Sequence, residues 1–162
     1  MDDCGIPTLR RLLEEKPKAV LDTHAQHGDA TALVERAEIL DVLSLLRDDA
    51  VLEFDMLTDL TAVDYLPRVP RFEVVYHLFS TTRSHRMRIK APVPAEDASI
   101  ASAVDLFPSA NWMEREVWDL YGIRFEGHPD LRRILLYEEF EGHPLRKDYP
   151  KERRQPLVGP GN

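Results

Sequence analysis

The chain has one cysteine, Cys4, among its 162 residues. A single thiol cannot close an internal disulfide, hold an iron–sulfur cluster or build a thiolate metal site, and it fits a reducing compartment. No stretch approaches the roughly 20 consecutive apolar residues that cross a bilayer as a helix, so no direct membrane insertion is expected. The opening residues, MDDCGIPTLR, have neither a basic leader nor an apolar run, so no secretory signal is expected. Glycine is scarce, at seven. It forms neither GxGxxG nor GxxxxGKS/T, which leaves a Gly-rich nicotinamide, flavin or phosphate site unsupported. CxxC, HExxH and GxSxG are absent as well.

Charge of both signs is abundant but unevenly placed. The net charge is −8. Residues 1–123 carry 13 Lys/Arg against 22 Asp/Glu, whereas residues 124–154 carry 8 against 7. Nucleic-acid binding usually needs a concentrated basic footprint, and the acidic body argues against it. The length suits one ordinary domain, and 43% hydrophobic residues match a soluble globular protein.

The chain opens with an amphipathic stripe, Ile6, Leu9, Leu12 and Leu13, that predicts a helix over 6–15, stopped by Pro17. Alternation over 19–25 and 31–34, around the turn His27-Gly28-Asp29, predicts a hairpin. His24 and His27 are read as surface histidines near that turn, because a metal site needs three or four converging ligands. A broad apolar face predicts a helix over 38–47, with Asp48 and Asp49 unfavourably placed at its C-terminal end. Three strands follow, over 55–65, 72–79 and 85–91. The second is apolar on both faces, as in a central strand. The third sets Met87, Ile89 and Ala91 against a basic outer face of Arg86, Arg88 and Lys90. Pro92 and Pro94 are expected to end the sheet, and a short helix is expected from Asp97 or Ser99 to Leu106. The order predicts an α+β fold, a two-layer sandwich of one mixed sheet of about five strands with helices on one face.

Residues 112–150 organise the rest. Met113, Val117, Leu120 and Tyr121 share one face of a helix, with Asn111 or Ser109 placed to cap it and Gly122 to end it in a left-handed conformation. Arg115 and Asp119, four apart, are expected to pair on its exposed face. Glu114 and Glu116 point in different directions and are read as salt-bridge or helix-end partners, not an acid/base pair. Beyond Gly122 proline recurs at 129, 144 and 150, which excludes a long helix or central strand. Yet Ile134, Leu135, Leu136, Tyr137 and Phe140 are too apolar for a solvated linker. An ordered, extended arm is expected, whose apolar groups need a surface on the chain's own body or on another protein. The domains are therefore 1–122, an α+β globular body; 123–154, a partner-docking arm; and 155–162, a flexible tail. An enzymatic alternative uses His128, Asp130, His143 and Asp148 as ligands of a divalent metal. Each histidine, however, precedes a proline, and no helix or strand fixes its geometry.

Glu114-Arg115-Glu116, then Asp119-Leu120-Tyr121, His128, Arg132 and Ile134-Leu135, resemble the signature of the 30 kDa-type subunit of respiratory complex I, the bacterial NADH-quinone oxidoreductase. Gly142-His143-Pro144-Leu145-Arg146-Lys147-Asp148-Tyr149-Pro150 resembles that family's C-terminal segment. Asp59–Tyr65 and Phe72–Leu78 are similar to its sheet, so the resemblance spans roughly 35–150.

The resemblance implies a non-catalytic structural subunit of the peripheral arm of a proton-translocating NADH:quinone oxidoreductase. This chain would carry no cofactor; FMN, iron–sulfur clusters and quinone would lie on other subunits. Its partners would be the quinone-site subunit and the terminal-cluster subunit of complex I. It would lie peripherally on the cytoplasmic side of the bacterial inner membrane, held through those partners. The implied partner-interface residues are Glu114, Arg115, Glu116, Asp119, His128, Arg132, Arg133, His143, Arg146, Lys147 and Asp148. A homologous subunit of a membrane-bound hydrogenase or related dehydrogenase would look similar.

Overall fold

The structure, a computed structural model, describes residues 7–152 and Gln155. Among them the elements run α1 (Pro7–Glu15), β1 (Val20–His24), β2 (Ala30–Val34), α2 (Ile39–Asp48), β3 (Met56–Asp64), β4 (Phe72–Ser80), β5 (His85–Val93), β6 (Ser99–Ala101), α3 (Ala110–Tyr121) and β7 (Arg124–Glu126). No helix of the described residues is long and apolar enough to cross a membrane.

The main sheet has the order β1-β2-β5-β4-β3. It is mixed, because β2 and β5 pair in parallel while the other neighbours are antiparallel. Alternation decides which side chains face the core. Phe72, Val74, Tyr76 and Leu78 of β4 and Met87, Ile89, Ala91 and Val93 of β5 are buried in one cluster with Leu9 and Leu12 of α1 and Ile39, Val42, Leu43 and Leu46 of α2. Each Val, Leu, Ile, Phe or Met side chain among them contributes about 1.5–3 kcal/mol. The result is the α+β sandwich that the order of elements predicts. On the other face Glu73 is buried but paired, 3.1 Å from Arg68 and 3.3 Å from Lys90.

Local rules mislead in a few places. The helix expected from Asp97 or Ser99 to Leu106 is instead a strand, β6, followed by turns. β6 pairs in parallel with β7, a partner more than 20 residues away that no local pattern announces. Pro92 does not end β5, which runs on to Val93. It sits beyond the β2 pairing, which stops at Lys90, where a strand tolerates a missing donor. The acidic pair ending α2 is compensated. Asp49 accepts the Val51 and Leu52 amides and pairs with Arg11, and Asp48 pairs with Arg47.

The body also runs past residue 122. Ile123 and Phe125 are buried in the core, so the arm proper starts after Glu126. Of the expected tail, all but Gln155 lies outside the described residues.

Candidate docking site

Helix α3 ends at a cap made by the arm. The Gly122 amide closes the last turn on the Trp118 carbonyl, and Gly122 takes a φ of 71°. That leaves four carbonyls without helical partners, and the arm fills them. His143 donates its Nδ1–H to the Asp119 carbonyl at 2.9 Å. The Leu145 amide donates to the Leu120 carbonyl at 3.1 Å. The Arg146 guanidinium donates to the carbonyls of Tyr121 and Gly122. A cation at a helix C-terminus also complements the helix dipole. Burial first, and then the guanidiniums of Arg146 and Arg133, hold His143 below the usual histidine range against the opposing hydrogen bond to Asp119. Glycine is required at 122 for closeness as well as for its φ. A Cβ there would lie 2.5 Å from the His143 ring and 2.6 Å from the Arg146 guanidinium.

One turn earlier, Asp119 holds the first half of the arm. Its carboxylate is fully buried. Oδ2 accepts three successive amides, Ile134 at 3.1 Å and Leu135 and Leu136 at 2.9 Å each. Oδ1 accepts the Arg133 guanidinium. Burial opposes the charge, but the amides and Arg133 outweigh it and keep the carboxyl below its usual range. Arg133 also donates to the Phe140 carbonyl at 2.7 Å and lies over the Trp118 and Phe140 rings.

A second carboxylate clasps the far end. Asp64, at the end of β3, is 4% exposed. It accepts Arg71 Nε at 2.9 Å and Nη2 at 2.7 Å, together with the amides of Leu66 at 2.9 Å and Lys147 at 2.8 Å. Arg71 simultaneously donates to both oxygens of Asp148, at 2.9 and 2.7 Å. Its guanidinium is the leading reason why Asp64 and Asp148 both sit below the usual carboxylate range. Arg71 and Arg146 both lie over the Phe72 ring. Asp64 and Arg71 were not singled out by spacing. No local pattern marks them, because the groups they hold arrive from more than 70 residues away.

The remaining predicted residues divide by burial. Glu114 is fully buried and has no ion-pair partner among the described residues. It accepts Ser102 Oγ at 2.6 Å and the Ala103 amide at 2.7 Å, so it is not the salt-bridge residue expected. Glu116 is exposed. Arg115 does not pair with Asp119; it donates to the carbonyls of Arg132 at 3.2 Å and Arg133 at 3.0 Å. His128 donates to the Asn111 carbonyl and accepts the Asp130 amide, each at 3.0 Å, which occupies both ring nitrogens. Arg132 pairs at the surface with Asp130 at 2.8 Å. Lys147 contributes its amide to Asp64 while its side chain is exposed. Ser109, not Asn111, takes the N-cap position, yet its hydroxyl donates to the Leu57 carbonyl. His128, Asp130, His143 and Asp148 are thus each engaged separately, and the described residues hold no group of three or more ligands fit for a metal ion.

With Arg133, Arg146 and Asp148 tied to the body, the arm leaves apolar side chains outward. Leu135 is 61% exposed and Leu145 50%, and on α3 stands Trp112, 68% exposed, under the Arg115 guanidinium.

Comparison with known proteins agrees with this architecture. Residues 32–155 match the family model for the respiratory-chain NADH dehydrogenase 30 kDa subunit. The chain is 49% identical to the NADH-quinone oxidoreductase C subunit of Citrifermentans bemidjiense over 92% of each chain. It is 45% identical to that of Geobacter sulfurreducens, covering 92% of this chain and 93% of the relative. A trypsin-resistant fragment of Nqo5 superposes with a TM-score of 0.68 at 36% identity, over 76% of this chain and 99% of the fragment. A chain from the membrane-bound sulfane sulfur reductase, an archaeal respiratory membrane complex, superposes with a TM-score of 0.76 at 26% identity, over 89% of this chain and 84% of that one. The sequence match spans the body and the arm together, and on that ground the chain belongs to the 30 kDa subunit family of the respiratory-chain NADH dehydrogenase.

Proposed function

We propose that this chain is a non-catalytic docking subunit of the peripheral arm of a proton-translocating NADH:quinone oxidoreductase. Its arm engages the quinone-site subunit and the terminal-cluster subunit and so supports electron transfer from NADH to quinone. It acts from the cytoplasmic side of the inner membrane, held there by its partners. FMN, iron–sulfur clusters and quinone belong to the other subunits.

The observation that carries this reading is the division of labour in the arm. The buried carboxylates Asp119 and Asp64, with the half-buried Arg133, are spent on fixing its shape. The exposed groups Trp112, Leu135 and Leu145 are large and apolar. Aromatic and aliphatic anchors presented on a preorganised segment are what an interface core needs, since little ordering entropy is lost on binding. The charges named from the resemblance therefore act chiefly by shaping the arm, while Glu116, Arg132 and the Lys147 side chain remain available at its rim.

Affinity purification of the tagged chain from native membranes, with the bound proteins identified, tests the reading. The wild-type chain is expected to bring down the quinone-site and terminal-cluster subunits, and the Leu135→Asp, Leu145→Asp double variant to lose them while still folding. Retention of both partners by that variant contradicts the reading. The superposition on the sulfane sulfur reductase chain supports a second assembly type. Co-purification of a flavin-bearing NADH module distinguishes the first from the second.

A further inference from the structure

Glu114 plays no part in fastening the arm; its partners are Ser102 and Ala103. It points from α3 into the turn after β6, with no exposed surface. Two oxygens meet two donors, Ser102 Oγ on Oε2 and the Ala103 amide on Oε1. Ser102 Oγ in turn accepts the Val104 amide at 3.3 Å. Among the described residues no cation balances the carboxylate. On its own helix Arg115 is committed to carbonyls of the arm, Asp119 is held by Arg133, and Glu116 is exposed. From β3, which packs on α3, Asp64 is bound to Arg71 and Asp59 is exposed. From β7, Arg124 and Glu126 face each other at the surface, 3.9 Å apart. Asp105, in the loop before the helix, is exposed. From β4 comes Tyr76, fully buried, its hydroxyl unpartnered, and its ionisation further opposed by the Glu114 charge.

We propose that Glu114 and Ser102 form a buried proton-binding site, in which the serine hydroxyl reverses its hydrogen bond when the carboxyl changes charge. With the carboxylate ionised, the donors run in one direction: Val104 amide to Ser102 Oγ, and Ser102 hydroxyl to Oε2. With the proton on Oε2, the carboxylic acid donates to Ser102 Oγ across the same 2.6 Å, and the hydroxyl hydrogen turns away. Oε1 keeps the Ala103 amide in both states, so no backbone bond is broken by the exchange. A hydroxyl is the right partner for such a site because it donates and accepts equally well. Burial without a counter-charge favours the neutral form. It pushes the carboxyl up to about 7, against the two hydrogen bonds, which favour the ionised form.

The folded chain holds this proton at pH values where the unfolded chain has released it. Stability from this group therefore falls as pH rises from about 4.5 toward 7.

The test is a carbon-13 titration of the full-length chain labelled at its glutamate carboxyl carbons, for the wild type, Glu114→Gln and Ser102→Ala. One resonance, missing in Glu114→Gln, is expected to titrate about two pH units or more above the remaining glutamates. Ser102→Ala removes a donor to the ionised form and is expected to move that same resonance higher still. It also assigns the resonance should Glu114→Gln fail to fold. All glutamates titrating together overturns the site. An elevated resonance that Ser102→Ala leaves in place or lowers overturns the relay.

Discussion

Asp119→Asn is the sharpest perturbation of the arm. The side chain keeps its shape, and one oxygen can still accept the amides of Ile134, Leu135 and Leu136. What changes is the other position, where an amide nitrogen would now face the Arg133 guanidinium, donor against donor. Arg133 is only 16% exposed, so water cannot replace the lost partner fully. Breaking one side of a buried ion pair costs about 3–5 kcal/mol. The three amide bonds weaken as well, because a hydrogen bond to a charge is worth about 1.5–3 kcal/mol and a neutral one about 1 kcal/mol. These terms are not additive, since they share one carboxylate. The lower figure alone corresponds to roughly a hundredfold change in the opening equilibrium of the arm. Amide hydrogen exchange of the isolated chain reads it directly. The amides at 134–136 are expected to lose about a hundredfold in protection, whereas those of β4 keep theirs, because local opening does not require the core to unfold. Equal protection at 134–136 in wild type and variant would refute the claim that Asp119 organises the arm.

Three further outcomes follow from the same geometry. Gly122→Ala adds a Cβ at 2.5 Å from the His143 ring and imposes a φ of 71° on alanine; the backbone term alone costs about 1–2 kcal/mol, and exchange at the Leu145 amide is expected to rise while the strands stay protected. Arg71→Met leaves Asp64 buried without its cation and frees Asp148, which is expected to lower stability by about 3–5 kcal/mol in urea unfolding and to raise the Asp64 titration toward the usual carboxylate range. Asp64, Asp119 and Asp148 all have lowered folded-state values, so their contribution is present above the unfolded value near 4 and is lost as pH falls below it; arm protection in a pH series is expected to drop on acidification while the Glu114 term moves the opposite way.

Much of the body is legible in the sequence. Alternation in β3, β4 and β5 and the apolar stripes of α1 and α2 are local signals, and each appears where the pattern puts it, save for Ile6, which lies outside the described residues. The root of the arm is legible too, because Gly122 and the prolines after it forbid any continued helix. Glu114 could have been found. Ala110, Glu114, Val117 and Tyr121 fall on one helical line, so a carboxylate stands where the pattern asks for an apolar group. Asp119 had no such signal, since what buries it is the arm and not the core. Arg71 and Asp64 were equally silent, because their significance lies in Lys147 and Asp148, which only the folded chain brings near. The family resemblance named the charged residues of the arm but not their partners, and the partners are what turn a run of charges into a fixed shape.

Hydroxyl-radical footprinting of this chain, free and in the complex purified from native membranes, reads out whether the outward apolar groups of the arm and α3 are the docking surface. Trp112, Leu135 and Leu145 are expected to be reactive in the free chain and protected in the complex. Equal reactivity of all three in both states would contradict that expectation.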